Sequence, residues 1–245
     1  MNNLIKNIKS FIPGLIFLGL WEVFCIGNTR RQFFFSAPSF IFSAFVEELQ
    51  TSLYWFNIVY TGSAAILGLL IGTLVGTLVG IALWLKPSLE RISNPYIVVL
   101  GAIPIFAIAP MLILWFGIGL WSKIIMASLS VVLVSLVQAY EGAKQVANTH
   151  LIFAKTLGAN DLRTLRFIIL PGALQHVLAG LKMNIGFALM GTFIAEFISS
   201  EYGVGHYILK AGGTYDTTRV FVGIFTLGVM SLVGQGVVGR LKKQR

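Results

Sequence analysis

The sequence predicts an all-α, polytopic membrane protein with about six transmembrane helices. Hydrophobic residues make up 56% of its 245 residues, charged residues only 11%, and the mean hydropathy is +0.85. Soluble globular domains are about one quarter charged, so this composition is typical of a protein embedded in lipid. Five apolar runs approach the roughly 20 residues that a helix needs to cross a bilayer. They cover residues 58–85, 96–116, 120–140, 178–199 and 220–239.

A sixth apolar run, residues 11–26, is shorter and contains Glu22. Because Lys6 and Lys9 precede it, this run also has features of a secretory signal peptide. However, Trp21 and Glu22 interrupt the apolar residues, and no small-x-small cleavage motif follows them. We therefore expect a retained transmembrane helix, with a cleaved signal peptide as the alternative.

Residues 30–56 form the longest predicted outer segment. Pro38 and Ser39 precede apolar residues at helical spacing, which is typical of a capped amphipathic helix lying in the membrane interface. The first span and this helix make up a predicted N-terminal part, residues 1–56. Residues 57–240 are expected to form the transmembrane domain, and residues 241–245 form a basic cytoplasmic tail.

Six spans place both termini on the same side of the membrane, and the positive-inside rule identifies that side as the cytoplasm. In this arrangement most of the 18 Lys and Arg residues lie in inner segments. Inner basic loops are attracted to the anionic leaflet, which explains the net charge of +9 without nucleic acid as a partner. The outer segments hold Arg30, Arg31, Lys123, Lys210 and Arg219.

The run that begins at residue 58 contains a regular glycine pattern. Gly68, Gly72, Gly76 and Gly80 recur every four residues and therefore share one face of a helix. Small residues allow another transmembrane helix to approach closely. The pattern predicts a helix contact, which is either static packing or a face that slides during transport.

The next run contains Pro104 and Pro110, each of which removes a helix hydrogen bond and favours a kink. Carbonyl groups freed in this way need neighbouring partners inside a membrane. We expect a kinked helix that lines an interior path, with an ordinary packing helix as the alternative. Glu196 is a further candidate for lining or gating the path, although its position near the end of a run favours a structural contact.

Residues 153–171 form a polar, charged island between apolar runs. Gly158 interrupts a helical pattern, Asp161 is a candidate N-cap, and Pro171 is expected to end the helix. The prediction is a short amphipathic helix on the cytoplasmic side of the membrane. A helix in that place is suited to present one face to a soluble partner.

The sequence contains no pattern typical of an enzyme. His150, His176 and His206 lack the spacing of metal ligands, and no Ser-His-Asp arrangement is evident. A phosphate-binding loop of the form GxxxxGK[ST] is also missing, so ATP hydrolysis by that route is not expected of this chain. We predict neither a metal site nor a cofactor. The single Cys25 cannot form an internal disulfide.

Several of these residues resemble the membrane permease subunit of a binding-protein-dependent ABC importer. The cytoplasmic signature of that family reads Glu-Ala-Ala, three residues, Gly, nine residues, then Ile-x-Leu-Pro. Ala154, Gly158 and residues 168–171 match the signature, whereas Ile152 and Phe153 replace its Glu and first Ala. The nitrate, sulfonate and taurine branch of the family is similar in residues 103–119, 157–159, 194–196 and 203–205.

The resemblance implies a type I ABC importer permease fold in the bacterial inner membrane. The solute would be a nitrate-, sulfonate- or taurine-like anion or a vitamin precursor. A separate cytoplasmic subunit would hydrolyse ATP, an extracytoplasmic protein would deliver the solute, and a second permease copy would complete the path as a homodimer. The predicted helix over residues 153–171 would correspond to the coupling helix of this family. Its implied ATPase-docking residues are Ala154, Leu157, Gly158, Ala159, Asp161, Arg163, Leu170 and Pro171.

An ion-gradient-driven secondary transporter is the alternative function. Such carriers are typically built from repeated halves and hold charged groups near the membrane midplane. The sequence shows neither an internal repeat nor a midplane pair of charges, so an ATP-driven importer subunit is the favoured prediction.

Overall fold

The computed structural model describes residues 2–146 and 148–243, and it describes their side chains except at 2–11, 148, 149, 151, 155, 161 and 241–243. Regular structure in these ranges is helical throughout, as the composition predicts. The helices are α1 Asn2–Cys25, α2 Thr29–Phe35, α3 Pro38–Glu48, α4 Ser52–Leu85, α5 Pro87–Ala102, α6 Ala109–Phe116, α7 Leu120–Lys144, α8 Asn148–Thr156, α9 Asp161–Thr164, α10 Leu170–Ile198, α11 Val204–Gly213 and α12 Thr217–Lys243. A 3₁₀ turn covers Ile105–Ile108, and a π-helical turn covers Leu165–Ile169.

Four continuous helices of the described chain are long and apolar enough to cross a membrane. They are α4, α7, α12 and a helix that runs without interruption from Leu162 to Ile198. A bent pair, α5 with the segment Ile105–Phe116, makes a fifth span if it is counted as one. The described apolar part of α1, Ile12–Cys25, is shorter than a full span. The predicted count of six is therefore approximate.

Helices α4, α7 and α10 pack against one another and form the centre of the bundle. The four predicted glycines of α4 all face α7. A Cβ at Gly72 would lie 2.5 Å from the Ser128 carbonyl oxygen, and one at Gly76 would lie 2.8 Å from Cβ of Ser135. Because only hydrogen fits at these positions, the two helices approach closely along their whole shared length.

The bent pair differs from the predicted helix with two kinks. The chain turns by 85° where Ile103 and Pro104 adopt extended backbone conformations. Pro110 causes no kink, because it occupies the first turn of α6, where a missing N–H group breaks no helix hydrogen bond. The predicted kinked helix is thus two helices joined by a single break.

The N-terminal helices pack onto the bundle beside α12. The helix predicted after Pro38 and Ser39 is α3, which begins at Pro38 without a side-chain cap. The Glu22 carboxylate accepts hydrogen bonds from the backbone N–H and the hydroxyl of Ser39, at 3.0 and 2.6 Å. Ile41 packs with Tyr54 and Val222 in one buried cluster. Helix α4 begins at Ser52, so the predicted domain boundary at residues 56/57 lies inside this helix.

Candidate functional site

The polar island of the sequence forms a bend at one end of the bundle. We call residues 148–171 the elbow. Helix α8 ends at Thr156, the chain turns through residues 157–160, and α9 begins the long helix that continues into the membrane. The prediction of one short helix over residues 153–171 is therefore wrong. The segment contains the end of one helix, a turn and the start of a span.

The turn of the elbow depends on Gly158 and Asn160. Gly158 has a φ of +73°, a left-handed conformation that glycine adopts without steric cost. The Asn160 side chain accepts a hydrogen bond of 2.9 Å from the backbone N–H of Arg163. Asn160 is thus the N-cap, and Asp161 is the first residue of the helix, in contrast to the prediction. The side chain of Asp161 lies outside the described residues.

Pro171 does not end the helix, although this was predicted. The preceding residues adopt a π-helical turn in which the N–H of Leu170 donates to the carbonyl of Leu165. Such a local change of hydrogen-bond register accommodates a proline within a membrane helix. Ile169 is buried, and Leu165 and Leu170 pack against a cluster formed by the adjoining ends of α4, α7 and α10. The elbow is therefore fixed firmly to the bundle.

The elbow exposes a group of large apolar side chains on its outer surface. Leu157 and Leu162 are 71% and 72% exposed, and Ile152, Phe153 and Phe167 are also well exposed. Apolar side chains this exposed on the polar end of a membrane protein are typical of a surface that another protein covers. The same surface includes the exposed Arg163 and the open space in front of Gly158.

The predicted docking residues differ in how far they are exposed. Leu157, Gly158, Arg163 and Pro171 are exposed, whereas Ala154, a residue of α8, is buried. Ala159 and Leu170 are half-buried. The structure therefore brings the predicted set together in one bend, but only part of it can contact a partner.

A cleft of about 570 Å³ lies behind the elbow, between α8 and the adjoining ends of α7 and α10. Its lining includes His150 and His176, which the sequence analysis had considered only as metal ligands. No group of three His, Cys, Asp or Glu side chains comes together in the part of the chain that the structure describes. The cleft shows that α8 stands away from the bundle on one side.

A buried polar cluster lies at the opposite end of α10. We call it the α11 cluster, and it consists of Asn57, Thr61, Glu196 and residues 203–205. The Thr61 hydroxyl donates to both oxygens of Glu196, at 2.8 and 2.9 Å, and the backbone N–H of Gly205 donates to one of them at 2.9 Å. Glu196 is fully buried and faces α4 and α11. These hydrogen bonds are the structural contact that its position favoured, and its lining or gating of a path stays a prediction.

Lys123 is the second buried charged residue at this end. Its position in the sequence assigned it to an outer segment, and its side chain is fully buried. Its ammonium group donates to the carbonyl oxygen of Ile118 and, at 2.8 Å, to that of Ser199. Since Ser199 caps α10, the cation also lies at the negative end of that helix dipole. Lys123 thus joins the loop before α7 to the end of α10.

A cavity of about 410 Å³ opens beside the α11 cluster, between α4, α11 and α12. Arg219 lies at its edge, where its guanidinium contacts Glu48 at 2.8 Å and Asp216 at 2.7 Å. Burial raises the pKa of the Tyr207 phenol, and the nearby Glu48 raises it further. No local sequence pattern indicates this cavity, because its lining comes from two distant segments, residues 48–57 and 201–219.

Comparison with known proteins gives a consistent result. Residues 68–244 match the family model described as binding-protein-dependent transport system inner membrane component. The riboflavin transport system permease protein of Chloroflexus aurantiacus is 31% identical over 229 residues, which cover 94% of this chain and 85% of that protein. The formylaminopyrimidine transport permease protein of Halalkalibacterium halodurans is 25% identical over 97% of this chain and 95% of its own length. The taurine transport system permease protein of Escherichia coli is 33% identical over 62% of this chain and 56% of its own length.

Solved structures show the same fold at low sequence identity. A bacterial ABC transporter involved in the import of alginate has a TM-score of 0.67 at 17% identity and covers 99% of both chains. The inward-facing methionine ABC transporter has a TM-score of 0.64 at 15% identity and covers 77% of this chain and 95% of its own. These identities support the shared fold alone.

Proposed function

This chain belongs to the family of binding-protein-dependent transport system inner membrane components, and we propose that its elbow is where the cytoplasmic ATP-binding subunit docks. The chain is a membrane permease subunit of an ATP-driven importer for a small solute, and ATP hydrolysis takes place on a separate subunit. The family also implies a solute-binding protein as a partner. This assignment is favoured over the alternative of an ion-gradient-driven secondary transporter.

The exposed apolar surface of the elbow is the observation that carries the docking proposal. Leu157 and Leu162 lie on either side of a turn that leaves Gly158 open to close approach. A groove on a soluble subunit that accepts this surface would bury both leucines and place Arg163 at the polar rim. Interfaces with an apolar centre and a polar rim are the usual form of a stable protein contact.

The orientation follows from charge. Lys144, Arg163 and Arg166 cluster near the elbow, and Arg240 lies at the corresponding end of α12. Because basic residues are retained on the cytoplasmic side, we place the elbow and both termini there. The α11 cluster then lies on the outer side, where the solute-binding protein delivers its cargo.

Movement of the docked subunits provides the mechanism. When ATP binding draws two ATP-binding subunits together, the two elbows that they hold are displaced with them. The elbow is continuous with the 37-residue helix Leu162–Ile198, which packs along α4 and α7. Tightly packed helices move as a body rather than deform, so the displacement switches the side of the membrane to which the path opens.

A second copy of the chain completes the path, and the bent pair supports this arrangement. Ile103 and Pro104 form non-helical backbone between two apolar helices, and both residues are exposed on this single chain. Irregular backbone at membrane depth is tolerated only where protein buries it or where it lines a water-filled cavity. We therefore place Pro104 and Pro110 against the path between two copies, and we keep residues 57–240 as the transport domain.

The solute belongs to the range that the names of the relatives span. These names specify riboflavin, formylaminopyrimidine, taurine and aliphatic sulfonates. We propose a small organic solute, either a heteroaromatic vitamin precursor or an organosulfonate. Uptake of radiolabelled riboflavin and of radiolabelled taurine into vesicles is measured with each of the other named solutes present as a competitor. Competition by the heteroaromatic compounds, or by the sulfonates, distinguishes the two classes.

The proposed function is tested by purification followed by transport. The tagged chain, extracted in mild detergent, is expected to retain an ATP-hydrolysing subunit. Vesicles that contain the complex should import solute when ATP is supplied inside, and a protonophore should leave the initial rate unchanged. A chain that purifies without such a subunit, and whose uptake stops when the protonophore is added, would instead be a gradient-driven carrier.

A further inference from the structure

The start of α11 is held by side chains from two other helices. The backbone N–H groups of Gly203, Val204 and Gly205 donate respectively to the side chains of Asn57, Thr61 and Glu196, at 2.9, 2.8 and 2.9 Å. The first N–H groups of a helix have no partner inside that helix. Here α4 and α10 supply all three acceptors, so the position of α11 depends on both of them.

The fit around Glu196 leaves no room for independent movement. Gly203 has a φ of +109°, and a Cβ at this position would overlap the Glu196 carboxylate. A Cβ at Gly205 would lie 2.7 Å from both Cβ of Glu196 and the carbonyl oxygen of Phe193. Two glycines thus allow the backbone of α11 to lie directly against α10. Since Glu196 and Thr61 are fully buried, water does not compete for these hydrogen bonds.

Helix α10 joins this cluster to the elbow. The uninterrupted helix Leu162–Ile198 has 37 residues, which corresponds to a length of about 55 Å. Leu162 is exposed at its elbow end, and Glu196 and Ser199 lie at its other end. A displacement of the elbow is therefore transmitted to the α11 cluster through one continuous helix.

We propose that Glu196 and Thr61 are positioning residues that make α11 move together with α10 during transport. This inference rests on the proposed function, because the displacement comes from the ATP-binding subunit at the elbow. Lys123 supports the same connection, since it holds Ser199 at the end of α10. Helix α11 and the residues around it then form part of the outer mouth of the transport path. Their position changes with the nucleotide bound to the ATP-binding subunit on the opposite side of the membrane.

Contacts of α11 with α12 provide the competing explanation. Gly223 of α12 lies directly against the side chain of Ile208 of α11. If these contacts alone fix α11, the α11 cluster merely stabilises the fold, and its loss would lower the amount of assembled importer without changing how ATP hydrolysis is coupled to uptake. A test therefore needs a readout of coupling beside a readout of assembly.

Thr61 offers a matched pair of variants. Thr61→Val removes the hydroxyl at nearly constant volume, whereas Thr61→Ser keeps it. In vesicles with the complete importer and its solute-binding protein, we expect Thr61→Val to keep its ATP-binding subunit and its basal ATP hydrolysis. Solute imported per ATP hydrolysed should fall about tenfold. Thr61→Ser should restore the wild-type ratio. An equal ratio in both variants would overturn the inference.

A second measurement does not depend on a destabilising variant. Spin labels at Ile198, at the end of α10, or at Lys210, on α11, report distances between two copies of the chain in the complete importer. Both positions are exposed. We expect ATP to shift the two distances together. A shift at position 198 with none at position 210 would overturn the proposal. Wild-type vesicles that neither hydrolyse ATP nor import solute would instead contradict the proposed function itself.

Discussion

The elbow and the α11 cluster lie at opposite ends of one long helix and are built in opposite ways. The elbow exposes Leu157 and Leu162 to solvent, whereas the α11 cluster buries Thr61 and Glu196 completely. An exposed apolar surface gains stability only when a partner covers it. A buried, fully hydrogen-bonded cluster already has its partners and fixes their relative positions. We propose that the ATP-binding subunit displaces the elbow and that the α11 cluster receives this displacement.

The largest effect is expected where the elbow would lose its partner. Replacing both Leu157 and Leu162 with Glu places two unpaired carboxylates in the docking contact, and each unpaired buried charge costs several kcal/mol. Binding of the ATP-binding subunit should weaken by about 100-fold or more. Uptake should stop while the chain remains folded in the membrane.

The double variant Leu157→Met, Leu162→Met is the matched control. It keeps apolar volume and should bind the ATP-binding subunit almost as well as the wild type. Co-purification from mild detergent, quantified against the permease band, measures both variants. Equal recovery of the partner with the Glu and Met variants would show that this surface is not the docking site.

Substitutions of Gly158 separate the effect of side-chain bulk from the effect of backbone strain within the elbow. Its positive φ costs a typical residue about 1–2 kcal/mol, whereas Asn tolerates the left-handed region better. Gly158→Trp adds bulk in the open space where the partner approaches, so it should abolish ATP-dependent uptake. Gly158→Asn should retain most of it. If Asn abolishes uptake as fully as Trp, then docking requires position 158 to carry no side chain at all.

A substitution inside the helix bundle should have the opposite effect. It should lower the stability of the chain and leave docking of the ATP-binding subunit unchanged. A Cβ at Gly76 would lie close to the backbone and Cβ atoms of α7, so Gly76→Ala should lower the free energy of unfolding by about 1–3 kcal/mol. Gly186, on α10, has open space around it and serves as the control. Gly186→Ala should be neutral or stabilising by about 0.5–1 kcal/mol. Thermal unfolding in detergent measures both, and equal effects would contradict the close approach of α4 and α7.

The smallest effect is expected at Arg219, which lies beside the α11 cluster but on the surface. Its guanidinium is about half exposed, and such pairs contribute about 0–1 kcal/mol. Arg219→Ala should therefore shift the melting temperature only slightly and leave the coupling of ATP hydrolysis to uptake unchanged. If Arg219→Ala lowers the solute imported per ATP hydrolysed as much as is expected for Thr61→Val, then Arg219 belongs to the α11 cluster.

The sequence predicted features that depend on local patterns. Apolar runs identify most spans because every membrane helix needs an apolar surface of similar length. The spacing of Gly68 to Gly80 predicted a helix contact, since a period of four selects one helix face. Pro38 and Ser39, followed by apolar residues at helical spacing, predicted the helix that the structure places at Pro38–Glu48.

Features that depend on long-range contacts were missed or wrong. Thr61 and Glu196 are 135 residues apart, so nothing in either neighbourhood indicates their hydrogen bond. Lys123 was assigned to an outer segment by its position, and the sequence did not indicate that two carbonyl groups provide it with buried partners. Pro171 was expected to end a helix, but the preceding π-helical turn lets the helix continue. In each case tertiary contacts or a change in hydrogen-bond register compensated for an unfavourable local residue.

Photocrosslinking from the elbow is a direct test of whether the ATP-binding subunit docks there. A photoreactive phenylalanine analogue at position 162 or, as a control, at the exposed Leu114 of α6 is illuminated in membranes that contain the complete importer. We expect position 162 to crosslink to the ATP-binding subunit and position 114 not to do so. Crosslinking of the ATP-binding subunit from position 114, with none from position 162, would contradict docking at the elbow and place the site of coupling elsewhere on the chain.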